Sequence, residues 1–235
     1  LAFFLRIGFT MKILSEAIHE VMGHGLFVIL FGGRILKVYI SIIWPYDNSY
    51  IWFSSPPYGF MDWQRAWIDG SGILVCLLTS YLMQIFLLLR WRLDWRIASA
   101  LIWLSFWTLA SSTGYLIMGG IQPFGDVANL IGRGILTKET SIIYGITSLI
   151  IGFIAISIIL GRILIMNGLV KSRFGLEKAL TTFWLTIPAI TTISIIGRGW
   201  PLTYIPITFI PPIIAYTITP IIWRRIETAK NQKET

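Results

Sequence analysis

The chain alternates between long apolar runs and short polar breaks, and the runs have the length of membrane spans. A helix needs about 20 apolar residues to cross roughly 30 Å of hydrocarbon. The pattern predicts six transmembrane helices, over residues 8–31, 71–89, 98–118, 141–165, 178–196 and 203–223. Proline lacks a backbone donor, so we expect the last span to be kinked or broken by its prolines, which are Pro206, Pro211, Pro212 and Pro220.

Residues 36–53, LKVYISIIWPYDNSYIWF, interrupt this helical pattern. The segment is rich in β-branched and aromatic residues and is divided by Pro45 and by an Asp47–Asn48 turn signal. It therefore predicts a short β-hairpin at the membrane boundary. The expected fold is an all-α polytopic membrane protein with six transmembrane helices and a short membrane-associated β-hairpin after the first span. Residues 1–235 form a single membrane domain in this interpretation.

Composition excludes an ordinary soluble domain, since 55% of the residues are hydrophobic and only 13% are charged. The net charge of +8 does not indicate nucleic acid binding, because the basic residues lie at the ends of apolar runs.

The basic residues concentrate in the 90–96, 162–178 and C-terminal segments. The positive-inside rule therefore predicts that the C-terminus and the 90–96 loop are cytoplasmic. The single cysteine, Cys76, is interpreted as a packing residue in an apolar run.

The first span contains a cluster of ionisable residues, Glu16, His19, Glu20 and His24, within the stretch AIHEVMGHGLFVILFGG and just before it. Ionisable groups inside a span are expensive and usually serve a function. Two neutral imidazoles and an oxygen ligand can bind zinc and leave a position open for water, while a nearby carboxylate takes the proton of that water. A metal site is therefore the preferred interpretation.

The spacing of the two histidines is unusual for such a site. In HExxH zinc proteases the histidines are four residues apart and share a helix face, whereas His19 and His24 are five apart. Five residues of a regular α-helix turn through about 140°, which is too wide for one ion. A π-bulge would bring both rings to one side, and Gly23 adds backbone freedom there. The alternative keeps a regular helix, with Glu20 and His24 as ligands and His19 outside them.

The order of features resembles the site-2 protease family of intramembrane zinc metalloproteases, as a divergent member. The resemblance rests on HEVMGHGLFVILFGGR, the hairpin candidate, DGSGILVCLL and GGIQPFGDVANLI, and it covers residues 11–135, the expected protease core. Residues 136–235 are additional transmembrane helices without an assigned counterpart. The motif differs by the extra residue between the histidines, and the last segment lacks the Asn-Pro-Leu-Asp-Gly pattern of the family.

The resemblance implies an intramembrane metalloprotease that cleaves a peptide bond in or near a transmembrane segment of a protein substrate. It implies Zn²⁺ held by His19, His24 and Asp126, the last presented after a break at Pro123 and Gly125. Glu20 is then the general base. The expected partners are a membrane protein substrate and the lipid bilayer, with no nucleic acid.

The hairpin and the third span add two expectations about substrate and water. An exposed strand edge can hold an unwound substrate segment by strand addition. Water needs a polar path to a buried site. The candidate substrate-binding residues are Val38, Ile40, Ile42, Tyr50 and Trp52, and the candidate path residues are Thr108, Ser111, Ser112 and Thr113.

Other hypotheses remain open from the sequence. In one hypothesis the protein is a catalytically inactive scaffold or a subunit of a larger membrane complex. In another hypothesis it moves protons or ions along a relay of Glu16, His19, Glu20 and His24. Glu20 is in that case a structural partner of a histidine or of Lys12, and Asp126 is an ordinary helix N-cap.

Overall fold

The fold is a bundle of helices with one small hairpin, seen in a computed structural model that describes residues 2–42, 49–90, 93–198, 202 and 205–234. The N-terminal half contains α1 (Ala2–Ala17), a π-helical segment (Ile18–Gly25), α2 (Leu26–Leu30), β1 (Arg34–Tyr39), β2 (Tyr50–Ser54), α3 (Asp62–Leu89), α4 (Trp95–Ile121) and α5 (Gly125–Gly132). It is followed by α6 (Lys138–Met166), α7 (Arg173–Trp184), α8 (Thr186–Arg198), a 3₁₀ turn (Pro206–Phe209) and α9 (Ile210–Glu234).

Five helical stretches of the described chain are long and apolar enough to cross a membrane, which indicates a multi-pass membrane protein. They are Arg6–Leu30, Asp62–Leu89, Trp95–Ile121, Lys138–Met166 and Arg173–Gly197. The expected mostly helical architecture is confirmed at this level. On α3 the exposed side chains follow the helical spacing of one apolar face, formed by Leu74, Leu78, Leu82 and Ile85.

The sixth predicted span, 203–223, is not among these five. In its place lie the 3₁₀ turn and α9, which starts at Ile210 and continues through charged residues to Glu234. Proline explains this division. Pro211 and Pro212 lie in the first turn of α9, where a backbone N–H needs no partner, whereas Pro220 lies inside the helix.

The second span begins earlier than the predicted residue 71, because α3 starts at Asp62. Gln64 stabilises this start, since its Oε1 accepts the N–H of Met61 at 2.8 Å. Trp63 and Trp67 lie on this first part of α3 and contact the end of the first span. Trp67 stacks on Phe27, and Trp63 meets Phe31 edge to face. The polar first turns therefore continue the spanning helix instead of forming a separate element.

The β-hairpin is confirmed, with β1 and β2 antiparallel and Arg34 opposite Ser54. Its register is irregular between Ile35 and Lys37. The turn expected at Pro45 and Asp47–Asn48 lies outside the described residues. Gly32, with a φ of +81°, turns the chain from α2 into the hairpin. The hairpin consequently lies beside the helix that carries both histidines.

The largest apolar core lies away from those histidines, between α4, α6, α7 and α9. Its centre is aromatic, with Trp103, Phe106, Phe153 and Trp184 all buried. The Nε1–H of Trp184 donates to Ser157 Oγ at 3.0 Å, which satisfies the polar atom of this ring. This core supports α4, against which the π-helical segment, α3 and α5 assemble the candidate site.

Candidate metal centre

The π-helical segment brings His19 and His24 together. Their Nε2 atoms are 3.2 Å apart, and the two rings meet edge to face with centroids 4.8 Å apart. The i to i+5 bonding of the segment is seen at its end, where the N–H of Leu26 donates to the carbonyl of Val21. The predicted π distortion is confirmed, and it extends over eight residues instead of a single bulge. The regular-helix alternative is therefore excluded.

Gly23 also allows the π-helical segment to approach α3 closely, in addition to its backbone freedom. An added Cβ at this position would lie 2.5 Å from the Cα of Gly72 on α3. The two helices thus meet backbone to backbone at a pair of glycines. This close approach brings α3 against the face of the π-helical segment that carries the histidines.

Asp126 completes the group from the opposite direction. Its Oδ2 lies 3.2 Å from His19 Nε2 and 3.3 Å from His24 Nε2. The N-cap of α5 is Phe124 without a side-chain cap, so Asp126 is not the N-cap considered from the sequence. Gly125 has a φ of +51°, a left-handed conformation that turns the chain directly before the carboxylate. The predicted break before Asp126 is therefore present.

The three facing atoms form a nearly equilateral triangle with sides of 3.2, 3.2 and 3.3 Å. A tetrahedral ion with bonds of about 2.0–2.1 Å holds its ligand atoms about 3.3 Å apart. His19, His24 and Asp126 can therefore hold a metal ion, and they are the one such group in the described part of the chain. Imidazole and carboxylate together are donors that suit a small divalent cation.

Gly72 leaves the space that this triangle needs. A Cβ built at Gly72 would lie 2.7 Å from the Nε2 atom of each histidine. Any larger residue would therefore push against the two facing nitrogens. Glycine at this position keeps the approach to the triangle clear from the side of α3.

The second nitrogen of each imidazole is also occupied. His24 Nδ1 is hydrogen-bonded to the carbonyl oxygen of Ile68, so this nitrogen carries the hydrogen of a neutral ring and Nε2 is left as an acceptor. Near His19 Nδ1, the thiol of Cys76 lies at 3.9 Å, and that sulfur is also 3.9 Å from the carbonyl of Ser15. Tyr115 stacks on the His19 ring. These contacts orient both rings as supporting groups orient metal ligands.

Asp126 presents a carboxylate and not a neutral acid. Burial by itself would raise the pKa of Asp126, but its hydrogen bonds with His19 and His24 lower that pKa below the ordinary value. When both rings are neutral and carry their hydrogen on Nδ1, the carboxylate oxygen and the two Nε2 atoms all present lone pairs to one point. Only a cation or shared protons at that point can make such an arrangement favourable.

A cavity of about 440 Å³ opens beside the triangle. Glu20, itself a buried residue, lines this cavity together with the metal-site residues. Its carboxylate has no hydrogen-bond partner in the described chain, so its oxygens are available to a bound molecule. The other walls are the β2 strand, Tyr115 and Phe124. Glu20 is thus next to both the triangle and the open volume.

The hairpin contributes to this cavity through one strand only. Ser49, Tyr50, Ile51 and Phe53 line it. Among the five hairpin residues predicted from the sequence, only Tyr50 does so, because Val38 and Trp52 are exposed and Ile40 and Ile42 lie beyond the end of β1. Successive side chains of a strand point to opposite faces, and the sequence did not reveal which face of β2 turns toward the histidines.

The helix that carries Asp126 is fixed to α3 by a polar clamp. Asp69 accepts from the Nε–H of Arg133 at 3.2 Å and from the side-chain amide of Asn129 at 3.3 Å. Asp69 directly follows Ile68, whose carbonyl orients His24. One turn of α3 therefore controls the position of two members of the triangle.

Several supporting residues could not be inferred from the sequence. Cys76 was interpreted as a packing residue, yet it contacts His19, and nothing in the sequence near Gly72, Asp69 or Tyr115 indicates their roles. The four residues of the expected water path do not line the cavity, and the path stays a prediction. Thr108 and Thr113 donate to carbonyls of their own helix, and Ser112 donates to Ile73 on α3. The cavity instead opens beside β2.

Comparisons of the chain with protein-family models, with curated proteins and with solved structures find no match. The geometry of the site therefore has to support a function by itself.

Proposed function

We propose that the protein is an intramembrane zinc metalloprotease that hydrolyses a peptide bond in or near a transmembrane segment of another protein. The observation that carries the proposal is the triangle of His19 Nε2, His24 Nε2 and Asp126 Oδ2, with sides of 3.2–3.3 Å. Two histidines and one carboxylate are a ligand set of zinc hydrolases that keep a fourth position open. The order of motifs that resembles the site-2 protease family supports the same class.

The residues divide the chemistry between them. Zinc, when bound, acts as a Lewis acid on the scissile carbonyl and lowers the pKa of a water molecule. His19, His24 and Asp126 hold the ion, while Ile68 and Cys76 keep the two rings in orientation. Glu20 accepts the proton of the attacking water and returns it to the leaving amine. The absence of another hydrogen-bond partner in the described chain suits Glu20 to that task.

The cavity suits an extended peptide. A helical substrate keeps its carbonyls in its own hydrogen bonds, so it must unwind before cleavage. β2 supplies Tyr50, Ile51 and Phe53 as one wall, and its backbone runs beside the cavity. In this proposal the hairpin receives the unwound segment by strand addition.

The bilayer and the orientation belong to the same proposal. The exposed apolar faces of the long helices face lipid, and the basic 90–96 loop is cytoplasmic. Five crossings would place the chain after Gly197 on the side opposite to that loop. A cytoplasmic C-terminus therefore requires α9 to return across the bilayer. Cysteine labelling of the 90–96 loop from outside intact cells tests the orientation, and labelling there would contradict it.

Elemental analysis of the purified full chain, beside a His24→Ala variant, is the decisive experiment for the metal. We expect about one zinc per chain, and a loss of at least about 100-fold in zinc affinity in the variant. A Ser105→Ala variant, which changes a buried residue away from the triangle, is the matched control and should keep the zinc. A wild-type protein without stoichiometric metal would favour the proton-relay hypothesis.

Cleavage is tested with Glu20→Gln, which keeps the size of the side chain and removes the base. Model transmembrane peptides that contain a central Gly-Pro break are incubated with the protein in detergent, and products are read by mass spectrometry. We expect cleavage by the wild type and a loss of about 100-fold or more in the variant, with zinc retained. Zinc binding without cleavage by either protein would instead support the inactive relative.

A further inference from the structure

A buried ion pair on α1 has no part in the chemistry above. Lys12 and Glu16 lie one helical turn apart, both with little exposed side chain, and Glu16 is one turn before Glu20. Charged residues in a spanning helix are costly and usually functional. Their mutual contact is long, with 3.8 Å between Lys12 Nζ and Glu16 Oε1. Mutual neutralisation alone does not explain this geometry.

Each member of the pair reaches the hairpin by a shorter contact. Glu16 Oε2 accepts from the hydroxyl of Ser49 at 2.8 Å, and Lys12 Nζ donates to the carbonyl of Ser41 at 3.4 Å. The N–H of Ser41 donates to Ser49 Oγ at 3.1 Å, which closes the network. Both backbone polar groups of Ser41 are therefore engaged. The α1 helix thus holds the hairpin just beyond the end of β1 and just before the start of β2.

The position of this attachment matters for the cavity. Ser49 precedes Tyr50, and Ser49, Tyr50 and Ile51 all line the cavity beside the triangle. We propose that Lys12 and Glu16, with Ser41 and Ser49, form a latch that fixes β2 against the cavity and so determines how firmly a substrate segment is held. Lys12 and Glu16 are positioning residues in this role, since they act on the cavity through β2.

The effect of the latch on substrate rests on the proposed function, but the attachment of β2 to α1 can be tested without that function. Hydrogen exchange of the β2 amides, measured by mass spectrometry on the purified full chain in nanodiscs, requires neither zinc nor cleavage. Ser49→Ala removes the hydroxyl that joins Glu16 to the strand, and Ser49→Thr restores one. Ser54→Ala makes the same change at the far end of β2, where the serine hydroxyl has no hydrogen bond in the described chain.

We expect β2 exchange to become about tenfold faster or more in Ser49→Ala, because a hydrogen bond to a charged group is lost. Ser49→Thr and Ser54→Ala should stay near the wild-type rate. Glu16→Gln keeps an acceptor for Ser49 and loses the charge that attracts Lys12, so it should be intermediate, and it serves if Ser49→Ala does not fold. Zinc content should be unchanged in all four variants.

With a cleavable model peptide, the latch predicts a higher KM for Ser49→Ala at an unchanged kcat. Unchanged β2 exchange in both Ser49→Ala and Glu16→Gln would overturn the latch, even if the protein cleaves peptides. Loss of zinc in either variant would also overturn it, because these residues would then act on the metal site. Failure of the wild type to bind zinc or to cleave would refute the proposed function and leave the exchange result to judge the latch.

Discussion

Two buried polar clusters lie against α3, and they satisfy their hydrogen-bonding groups in opposite ways. In the first, Ser80, Gln84 and Ser105 join α3 to α4. Ser80 Oγ donates to the carbonyl of Ser105 at 2.8 Å, and the amide of Gln84 donates to both hydroxyls at 2.9 and 3.1 Å. Every one of these donors has an acceptor within the cluster. Such a cluster holds two helices together and needs nothing from outside.

In the second cluster, His19, His24 and Asp126 each turn one possible metal-ligand atom toward one point, and all three atoms are acceptors when both rings are neutral. The hydrogen of the His24 ring is already given to Ile68, outside the triangle. An arrangement that lacks its own donors is stable only with a cation or extra protons at its centre. The comparison teaches that the balance of donors and acceptors, and not burial alone, separates a structural polar cluster from a ligand-binding one.

The largest effect should come from Gly72→Ala, which closes the second cluster without changing any ligand. The new Cβ would lie 2.7 Å from both Nε2 atoms, so the rings must move apart. We expect zinc affinity to fall at least about 100-fold, as measured by competition with a chelator. Gly114→Ala on α4 is the control, because its Cβ meets open space. Equal zinc affinity in both variants would contradict the site.

A smaller effect is expected when the clamp on α5 is released by Arg133→Gln. The ion pair with Asp69 is partly exposed, so it adds little stability. It does fix the helix that presents Asp126, and we expect zinc affinity to fall about tenfold. Arg65→Gln changes an exposed arginine of α3 outside the clamp and should leave the affinity unchanged. The same loss in both variants would show a general charge effect instead of positioning.

Cys76→Ala should weaken zinc binding less than the clamp variant does. The sulfur is 3.9 Å from His19 Nδ1, which makes it a weak partner for that ring. We expect a loss of less than about tenfold, seen as faster release of zinc to a chelator. Cys76→Ser keeps a polar atom beside the ring and should recover most of the difference. A loss in Cys76→Ala larger than that in Arg133→Gln would contradict this weak supporting role of the thiol.

Gln84→Leu should leave the metal untouched, and it measures the first cluster. It removes the amide that donates to Ser80 and Ser105, while those two serines keep their mutual contacts. We expect a loss of about 1 kcal/mol in the free energy of unfolding, because polar contacts between membrane helices are individually modest. Unfolding in mixed detergents gives this value, and zinc content is measured on the same samples. A fall in the zinc content of Gln84→Leu would show that the first cluster also supports the metal site.

The sequence was informative where a pattern is local. The apolar runs predicted the long helices, the β-branched segment predicted the hairpin, and the five-residue spacing of His19 and His24 predicted the π distortion. It was misleading where local patterns compete with tertiary packing. The run at 203–223 was expected to be broken by its prolines, but the sequence did not show that its α-helix begins at Ile210 and continues to Glu234. The choice of β2 residues that line the cavity also depended on a strand orientation that alternation alone does not set.

The sequence by itself determined that a mostly helical, apolar protein must carry imidazole and carboxylate groups in its first long helix, because residue type and helical period are local properties. Only the tertiary structure decided that Asp126, which lies 102 residues after His24 in the chain, contacts both histidines. It also decided that Gly72 leaves room for the two rings and that Lys12 and Glu16 hold the hairpin. These contacts join residues far apart in the chain. Their geometry depends on how helices pack, which no short stretch of sequence specifies.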